Sequence, residues 1–175
     1  MRLWEQPSDA VTWERAGLAD VNGLLAERHY LGPVSGAVVY VFAGVVGRDV
    51  VAAQVWKLPT SRHLPSDGSW LELSRWCLTP EAGDWAGSRM HAWATRYLRA
   101  NARGVTTLVS SSDPSAGHTG ALYRACNWTW RPTWMRLAPP PSGGGVMGRC
   151  DNAGTEGPLD LRAPARRGAR CRAAA

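Results

Sequence analysis

The sequence has little lysine, phenylalanine and cysteine, and it has no long apolar run. Its four cysteines lie far apart without a Cys-x-x-Cys pair, which argues against a zinc ribbon or a disulfide scaffold and for reduced thiols. No run approaches the roughly 18 apolar residues of a membrane helix, and the first residues lack the charged-then-apolar form of a secretory signal. We therefore expect an intracellular protein that makes no use of a membrane.

The positive charge is divided between the body of the chain and its tail. Six arginines against three acidic residues give residues 147–175 half of the formal net charge of +6, and the first 146 residues carry the other half. Lysine occurs once, at Lys57, whereas arginine, alanine and glycine are abundant, which indicates GC-rich coding more than a dedicated phosphate-binding surface. Most of the ten tryptophans must pack against a core.

The alternation of helical and strand patterns, with no internal repeat, predicts a single α/β domain over residues 1–145. Helical spacing is present at 17–28, 88–103 and 118–126, and strand patterns are present at 37–46, 50–57, 70–78, 105–110 and 128–137. The turn at 47–49 joins the first two strands as a hairpin. A proline triplet and a glycine triplet within 139–145 end the predicted domain.

Residues 146–175 show no periodicity and are rich in arginine, alanine, glycine and proline, which is typical of a disordered basic tail. Codon degeneracy allows residues 147–164 to be read one nucleotide later as a sequence that looks more like a folded terminus. We therefore hypothesise a frameshift, natural or from sequencing, which would remove the tail as evidence for DNA binding. Codons incompatible with the shifted frame, seen on resequencing the gene, would refute it.

The predicted strand 70–78 carries a carboxylate and a serine among apolar residues. Alternation places Glu72, Ser74 and Trp76 on one face. The opposite face then carries Leu71, Leu73, Arg75 and Cys77. A carboxylate beside a core can act as a general base, which makes Glu72 a candidate catalytic residue. An exposed strand face is the alternative explanation.

Several serines, an acid and a histidine lie between a predicted strand and a predicted helix, in residues 110–120. In α/β folds, ligands bind beyond the carboxyl ends of strands and against helix N-termini, whose free N–H groups favour anions and developing oxyanions. Ser112, Asp113 and His118 are therefore candidate catalytic residues. Turn formation and capping are the alternative, because serine, aspartate and glycine are favoured there.

His29 and Tyr30 lie where the first predicted helix meets a Gly-Pro loop. Both can transfer protons, and His29 can also ligate a metal. A histidine at a helix end is more often a cap, so the catalytic interpretation depends on His118 lying close by in the folded chain. We interpret the two other histidines as structural: His63 and His91.

The last predicted strand interleaves tryptophan with arginine. Trp128, Trp130, Trp134 and Arg136 share one face, and Arg131 lies on the other. Aromatic rings beside arginine can stack on bases and hold phosphates, so all of these except Trp128 are candidate DNA contacts. Tryptophans on a strand also close the edge of a core, and we expect two of the three to do so.

Five short segments, in this order, resemble one family. They are His29-Tyr30-Leu31-Gly32, Leu71-Glu72-Leu73-Ser74-Arg75, Ser111-Ser112-Asp113-Pro114, Gly117-His118-Thr119-Gly120 and Leu122-Tyr123-Arg124-Ala125. The order of strands and helices and the Leu-Tyr helix resemble the GNAT acyltransferase superfamily. The combination of segments, from about Leu24 to Gly145, resembles the phage Mom-type DNA-modification proteins, a divergent GNAT-like branch. The resemblance implies a central, mixed, mostly antiparallel sheet flanked by helices.

The resemblance also implies an activity, which is the addition of a carbamoylmethyl-type group to N6 of adenine in phage DNA, in the cytoplasm of the infected bacterium. Such a group blocks host restriction enzymes. The amino nitrogen is a weak nucleophile inside a base stack, so an enzyme must expose it and take a proton from it. By resemblance, Glu72 or His29 is the base, and Tyr123 matches the GNAT tyrosine that protonates the leaving group. The residues that would line the pocket are Ser112, Asp113 and His118.

One segment departs from the superfamily pattern and leaves the donor open. GNAT enzymes bind the pyrophosphate of coenzyme A at a Gln/Arg-x-x-Gly-x-Gly/Ala turn, which here reads Gly-Asp-Trp-Ala-Gly-Ser-Arg at 83–89. Asp84 would repel a pyrophosphate, whereas the helix N-terminus can still bind an anion. The candidate donor- or anion-binding residues are Ser74, Arg75, Ser88 and Arg89. An acyl-CoA-type donor therefore stays open, and no ligand spacing supports a metal.

Two alternatives to a DNA-modifying enzyme remain at this point. One is a GNAT acyltransferase that acts on a small amine or a protein N-terminus. The other is a non-catalytic nucleic-acid-binding module that uses the tryptophan-arginine strand and the arginine stripe of the 88–103 helix. For the leading hypothesis, the expected partners are DNA and a small-molecule group donor.

Overall fold

A computed structural model describes residues 10–131 and 155–160. For residues 130–131 and 155–160 it describes the backbone alone. The strands are β1 (Thr12–Arg15), β2 (Val38–Val46), β3 (Asp49–Lys57), β4 (Trp70–Leu78), β5 (Thr107–Ser111), β6 (Trp130–Arg131) and β7 (Thr155–Asp160). The helices are α1 (Leu18–Arg28), α2 (Ala86–Asn101) and α3 (Ala121–Ala125). The bounds of α1, α2 and β2 to β5 lie close to the ranges predicted from periodicity, whereas β1 and β7 were not predicted. The helix α3 is shorter than predicted because it begins after Gly120, whose φ is +71°.

The strands form one sheet in the order β1-β2-β3-β4-β5-β7-β6. Strands β1 to β4 pair antiparallel in sequence, as the predicted β2–β3 hairpin requires, and the turn of that hairpin uses Gly47 at φ +62°. β4 pairs parallel with β5, which pairs antiparallel with β7. The predicted fold, a mixed and mostly antiparallel sheet flanked by helices, is confirmed.

The sheet buries apolar side chains on both faces, because α1 and α2 cover opposite sides. On one side, Val21 and Leu25 of α1 pack with alternate residues of β2 and β3. On the other, Met90, Ala94 and Leu98 of α2 pack with the intervening residues. Each fully buried leucine or methionine contributes roughly 1.5–3 kcal/mol, so the helical stripes visible in the sequence supply much of the stability.

A β-bulge at Ser74 corrects the predicted alternation of β4. Val55 pairs with Arg75 and Trp56 with Leu73, which leaves Ser74 without a counterpart on β3. An extra residue of this kind reverses which side chains face which way. Trp76 therefore packs in the α2-side cluster that holds Leu73, and not on the face predicted to carry Ser74. The residues beyond the bulge that were predicted to share a face with Leu71 and Leu73 also change sides: Arg75 and Cys77.

The carboxyl ends of β4 and β5 diverge. Their parallel pairing runs from Trp70 and Thr107 to Leu73 and Ser110, whereas β4 continues to Leu78. The two strands therefore open a gap immediately after Ser110, at the bulge. The loop that follows β5 and the end of α1 lie at this gap.

The predicted tail contains one strand of the sheet. Backbone hydrogen bonds place β7 between β5 and β6, although residues 155–160 lack strand alternation. An unpaired strand edge offers N–H and C=O groups that any extended segment can pair with, whatever its side chains, which is why periodicity did not reveal it. The remainder of the tail and the predicted domain boundary at 145 lie outside the described residues, and the frameshift stays a hypothesis about the gene. Among the described helices, none has the length and apolar character to cross a membrane.

Candidate active site

A polar cavity of about 220 Å³ opens where β4 and β5 diverge. Its walls come from the residues that follow α1, the end of β3, the bulged part of β4, the end of β5, the β5–α3 segment and α3. The lining residues are His29, Tyr30, Leu31, Lys57, Glu72, Leu73, Ser74, Arg75, Trp76, Ser111, His118 and Tyr123. Of the seven residues predicted from the sequence to be catalytic, five line this cavity: His29, Tyr30, Glu72, His118 and Tyr123.

An apolar cavity of about 340 Å³ lies beside the first one, against α3. Its lining residues are Trp76, Ser112, Gly117, His118, Thr119, Gly120, Ala121, Leu122 and Tyr123. The two cavities share Trp76, His118 and Tyr123. A side chain on this common wall can reach a molecule in either cavity.

Tyr123 is held at the common wall by a buried serine. Its hydroxyl lies 2.8 Å from Oγ of Ser110, and the Ser110 hydroxyl donates to the carbonyl of Leu73 at 3.1 Å. Because a serine has one proton to give, Tyr123 is the donor in the first of these bonds. The phenol ring also packs edge-on against Trp76 and Trp128, with centroid distances of 5.7 and 5.4 Å. Ser110 was not among the predicted site residues; its only signal is a polar residue at the end of an apolar strand.

His29 is neutral at physiological pH. Burial, the positive charge of Arg75 and the nearby His118 lower the pKa of His29 to about 4. Its backbone N–H caps α1 by donating to Leu25, and its ring Nδ1 accepts from the N–H of Leu31 at 3.2 Å. A neutral ring whose Nδ1 accepts carries its proton on Nε2. The ring of His29 is therefore a hydrogen-bond donor, which favours Glu72 over His29 as the base.

The rings of His29, Tyr30 and His118 are in contact. His29 stacks on Tyr30 at a centroid distance of 5.0 Å, and His118 meets the edge of Tyr30 at 4.9 Å. The proximity of His118, on which the functional interpretation of His29 depended, is thus observed. The contact joins the end of α1 to the β5–α3 segment across the cavity.

Glu72 is anchored by the loop that leads into β4. Its Oε2 accepts from the backbone N–H of Thr60 at 2.9 Å and from the Thr60 hydroxyl at 3.1 Å. Both bonds end on one carboxylate oxygen, and Oε1 takes part in neither. A fixed carboxylate in a polar cavity can accept a hydrogen bond from a substrate and then its proton.

Arg75 connects the bulge to the turn after α1. Its guanidinium donates to the carbonyls of Gly32 at 3.1 Å, Ser74 at 2.8 Å and Leu31 at 3.5 Å, and to Oγ of Ser74 at 3.1 Å. Most of the N–H groups of Arg75 are therefore engaged with the chain itself. Donor binding by Ser74 and Arg75 stays a prediction, and positioning of the turn is what their contacts support.

The two polar residues after β5 differ in their surroundings. Ser112 is buried, lines the apolar cavity, and its Oγ has no hydrogen-bond partner among the described residues. Asp113 lines neither cavity, and its Oδ1 accepts from the Ser115 backbone at 2.9 Å and from the Ser115 hydroxyl at 2.6 Å. These bonds lower the pKa of Asp113 and make it the cap of a short 3₁₀ turn. A direct catalytic role for Asp113 remains a prediction.

The start of α2 lies behind the apolar cavity. Ser88 donates to the carbonyl of Trp85 at 3.0 Å, and neither Ser88 nor Arg89 lines a described cavity. Gly87 packs on Leu122, since a Cβ at Gly87 would lie 2.7 Å from a Leu122 methyl carbon. The start of α2 therefore adjoins a residue of the apolar cavity, and the exposed Asp84 before this helix does not fit a pyrophosphate.

None of the four predicted DNA contacts has a side chain among those that the structure describes. Trp130 and Arg131 form β6, described by its backbone, and Trp134 and Arg136 lie outside the described residues. Trp128 is buried in the α2-side core. The part of the chain that the structure describes contains no group of three or more histidine, cysteine, aspartate or glutamate side chains able to hold a metal ion.

His91 supports the site from within the core. It is buried among Trp56, Trp76 and Trp128, and its Nε2 accepts from Nε1 of Trp128 at 2.8 Å. Burial, with a smaller effect of Arg99, lowers the pKa of His91 to about 3. The neutral ring holds the tryptophan that packs on Tyr123.

This burial predicts that acid destabilises the protein. In the unfolded chain His91 has its ordinary pKa of 6.5. Between pH 6.5 and about 3 the unfolded chain therefore binds a proton that folded His91 does not, and the stability present above pH 6.5 is lost at about 1.4 kcal/mol per pH unit. Urea unfolding at pH 7 and pH 5 measures this. His91→Gln, which keeps an acceptor for Trp128, should show a smaller loss, and an equal loss in both proteins would contradict the assignment.

Comparison with known proteins identifies the family of this chain and the fold that it shares with solved structures. The model of the Mom protein family matches residues 22–138, more than half of the chain. No curated protein matches the chain. Among solved structures, a putative acetyltransferase from Salmonella typhimurium, yncA, with acetyl-CoA, has a TM-score of 0.58 at 16% identity and covers 92% of this chain and 99% of its own.

Two structures from Escherichia coli are similar in the same way. The GNAT family N-acetyltransferase YhbS, in complex with CoA, has a TM-score of 0.52 at 12% identity, over 68% of each chain. The ribosomal-protein-S18-alanine N-acetyltransferase has a TM-score of 0.52 at 15% identity, over 70% of this chain and 79% of its own. These likenesses show the GNAT fold, and the family match shows that this chain belongs to the Mom protein family.

Proposed function

We propose that this chain attaches a carbamoylmethyl-type group to N6 of adenine in DNA, with the reaction at Tyr123. Membership of the Mom protein family implies modification of adenine in phage DNA by a GNAT-like transferase. The observation that carries the proposal is the position of Tyr123 at the common wall of two cavities of different polarity. A transferase needs two adjoining sites, one for the acceptor and one for the donor.

The polar cavity suits the edge of an adenine. Adenine presents an amino donor next to a ring-nitrogen acceptor. Glu72 supplies an acceptor for the amino group, and the Nε2–H of His29 supplies a donor for a ring nitrogen. The Tyr30 ring lies in the same cavity and offers a surface on which a base can stack. The neutrality of His29 supports this arrangement, because adenine is uncharged and does not need a charged partner.

The roles follow from the hydrogen bonds of each side chain. The N6 lone pair attacks the reacting carbon of the donor, the N6 proton passes to Glu72, and the leaving group takes the proton of Tyr123. The bond that breaks joins the reacting carbon to the leaving group. The Ser110 hydroxyl, which in the resting protein donates to Leu73, can turn toward the phenolate that forms. Glu72 thus acts as base and Tyr123 as acid.

The apolar cavity is the place for the donor. The buried Oγ of Ser112 has no partner among the described residues and can bond to a polar atom of a molecule there. The lining by Trp76 and Leu122 fits an apolar arm. Because the turn before α2 does not fit a pyrophosphate, we assign the donor only to a chemical class: a small molecule whose reacting carbon is bonded to a leaving group.

Mass spectrometry of nucleosides tests the proposal. DNA from bacteria that express the protein is digested and compared with DNA from uninduced cells. We expect a new deoxyadenosine adduct, whose mass identifies the transferred group. Unmodified nucleosides alongside folded protein would contradict the proposal.

A second candidate is an N-acyltransferase that acts on a small amine or a protein N-terminus. It is favoured by the GNAT fold, because the similar solved structures include acetyltransferases whose names give such acceptors. Acylation of amines with no adenosine adduct would select it. The family and the fold favour either enzyme over the non-catalytic nucleic-acid-binding module.

A further inference from the structure

Two exposed apolar side chains lie side by side at the mouth of the polar cavity. Among the described residues, Tyr30 and Leu31 are 49% and 52% exposed, and both line this cavity. Two other large apolar residues are similarly exposed, Val39 on β2 and Trp85 before α2, and neither lines a described cavity. The polar cavity is therefore bordered by two apolar side chains, Tyr30 and Leu31, that are about half exposed to solvent.

The backbone beneath Leu31 is fixed. The N–H of Leu31 donates to Nδ1 of His29, and the carbonyls of Leu31 and Gly32 accept from Arg75. The N–H of Gly32 also closes the turn on the carbonyl of His29 at 2.7 Å. The main chain is thus tied to both α1 and β4, while the leucine side chain is 52% exposed. The exposed part of a leucine side chain adds no hydrophobic stabilisation to the fold.

An adenine in a duplex must leave the base stack before a cavity can receive it. Proteins that unstack DNA commonly insert an apolar side chain such as leucine into the step that opens. We propose that Leu31 is this wedge, which enters the stack where the target adenine was while Tyr30 contacts the extruded base. This inference rests on the proposed function, because it assumes DNA adenine as the acceptor.

Fluorescence of 2-aminopurine tests the wedge without a donor. Duplex oligonucleotides carry this adenine analogue between each combination of neighbouring bases, and purified full-length protein is added. We expect the wild type to raise the fluorescence in at least one context, because the base leaves the stack. Leu31→Ala should need about tenfold more protein for the same rise, whereas Leu31→Met should behave as the wild type does. Val39→Ala, an exposed apolar residue outside the cavities, is the matched control.

An abasic residue opposite the analogue separates a wedge from a structural role. This duplex is already weakened at the target, so Leu31→Ala should recover the wild-type response there. A wild type that raises the fluorescence in no context, a Leu31→Ala response equal to wild type in the paired duplex, or a loss that persists opposite the abasic residue would each overturn the inference.

The adenosine adduct distinguishes failure of the wedge from failure of the proposed function. If the wild type forms the adduct in cells and Leu31→Ala forms it equally well, only the wedge is contradicted. If the wild type forms no adduct, the proposed function is contradicted, and the wedge loses its basis with it.

Discussion

Replacement of Tyr123 by phenylalanine is expected to lower the yield of modified adenine by about a hundredfold to ten-thousandfold. This is the range that a positioned general acid contributes. The substitution removes one hydroxyl, whose partner Ser110 keeps its bond to Leu73, while the ring keeps its contacts with Trp76 and Trp128. The variant should therefore remain folded, while its yield of modified adenine falls. Adduct yield per soluble protein, measured by nucleoside mass spectrometry, checks the prediction.

The same chemical change elsewhere provides the control. Tyr97 on α2 packs against Phe42 and Trp93 and lines neither described cavity. Tyr97→Phe should retain wild-type yield. A Tyr123→Phe protein that is as active as Tyr97→Phe would remove Tyr123 from the mechanism and leave the two cavities without an acid between them.

Truncation of Trp128 to alanine is expected to lower the free energy of unfolding by about 3–5 kcal/mol, as buried tryptophans do. Trp128 is buried against the α2-side core, and its indole N–H is bonded to His91. Because the indole also packs on Tyr123, the truncation should reduce adduct yield as well. Urea unfolding with an unchanged dependence on denaturant measures the stability effect.

Trp128→Phe separates packing from hydrogen bonding. It keeps an aromatic ring against Tyr123 but leaves Nε2 of His91 unpaired in the core, which should cost about 1–3 kcal/mol. We expect its adduct yield to exceed that of Trp128→Ala under conditions where both are folded. Equal stability of Trp128→Ala and wild type would show that Trp128 does not hold the site.

Local pattern in the sequence was enough for most of the helices and strands and for many of the candidate site residues, but it did not reveal β1 or β7. The strands from Val38 to Leu78, the two long helices and the hairpin turn followed from periodicity and glycine placement, which depend on neighbours a few residues apart. The segments around His29, Glu72 and Tyr123 marked the chain as Mom-like, as the family match shows. The chemistry available to these segments depends on the types of residue they contain, and residue types can be read directly from a sequence.

The tertiary structure decided how these residues meet. The bulge at Ser74 reversed the face of Trp76, because register depends on pairing with a distant strand. The bond between Ser110 and Tyr123, the use of Arg75 to hold the turn, and the capping by Asp113 are equally unreadable from spacing alone. The sequence by itself therefore determined which groups are available, whereas long-range strand pairing and the hydrogen bonds it permits decided which of them face the two cavities and which hold the others in place.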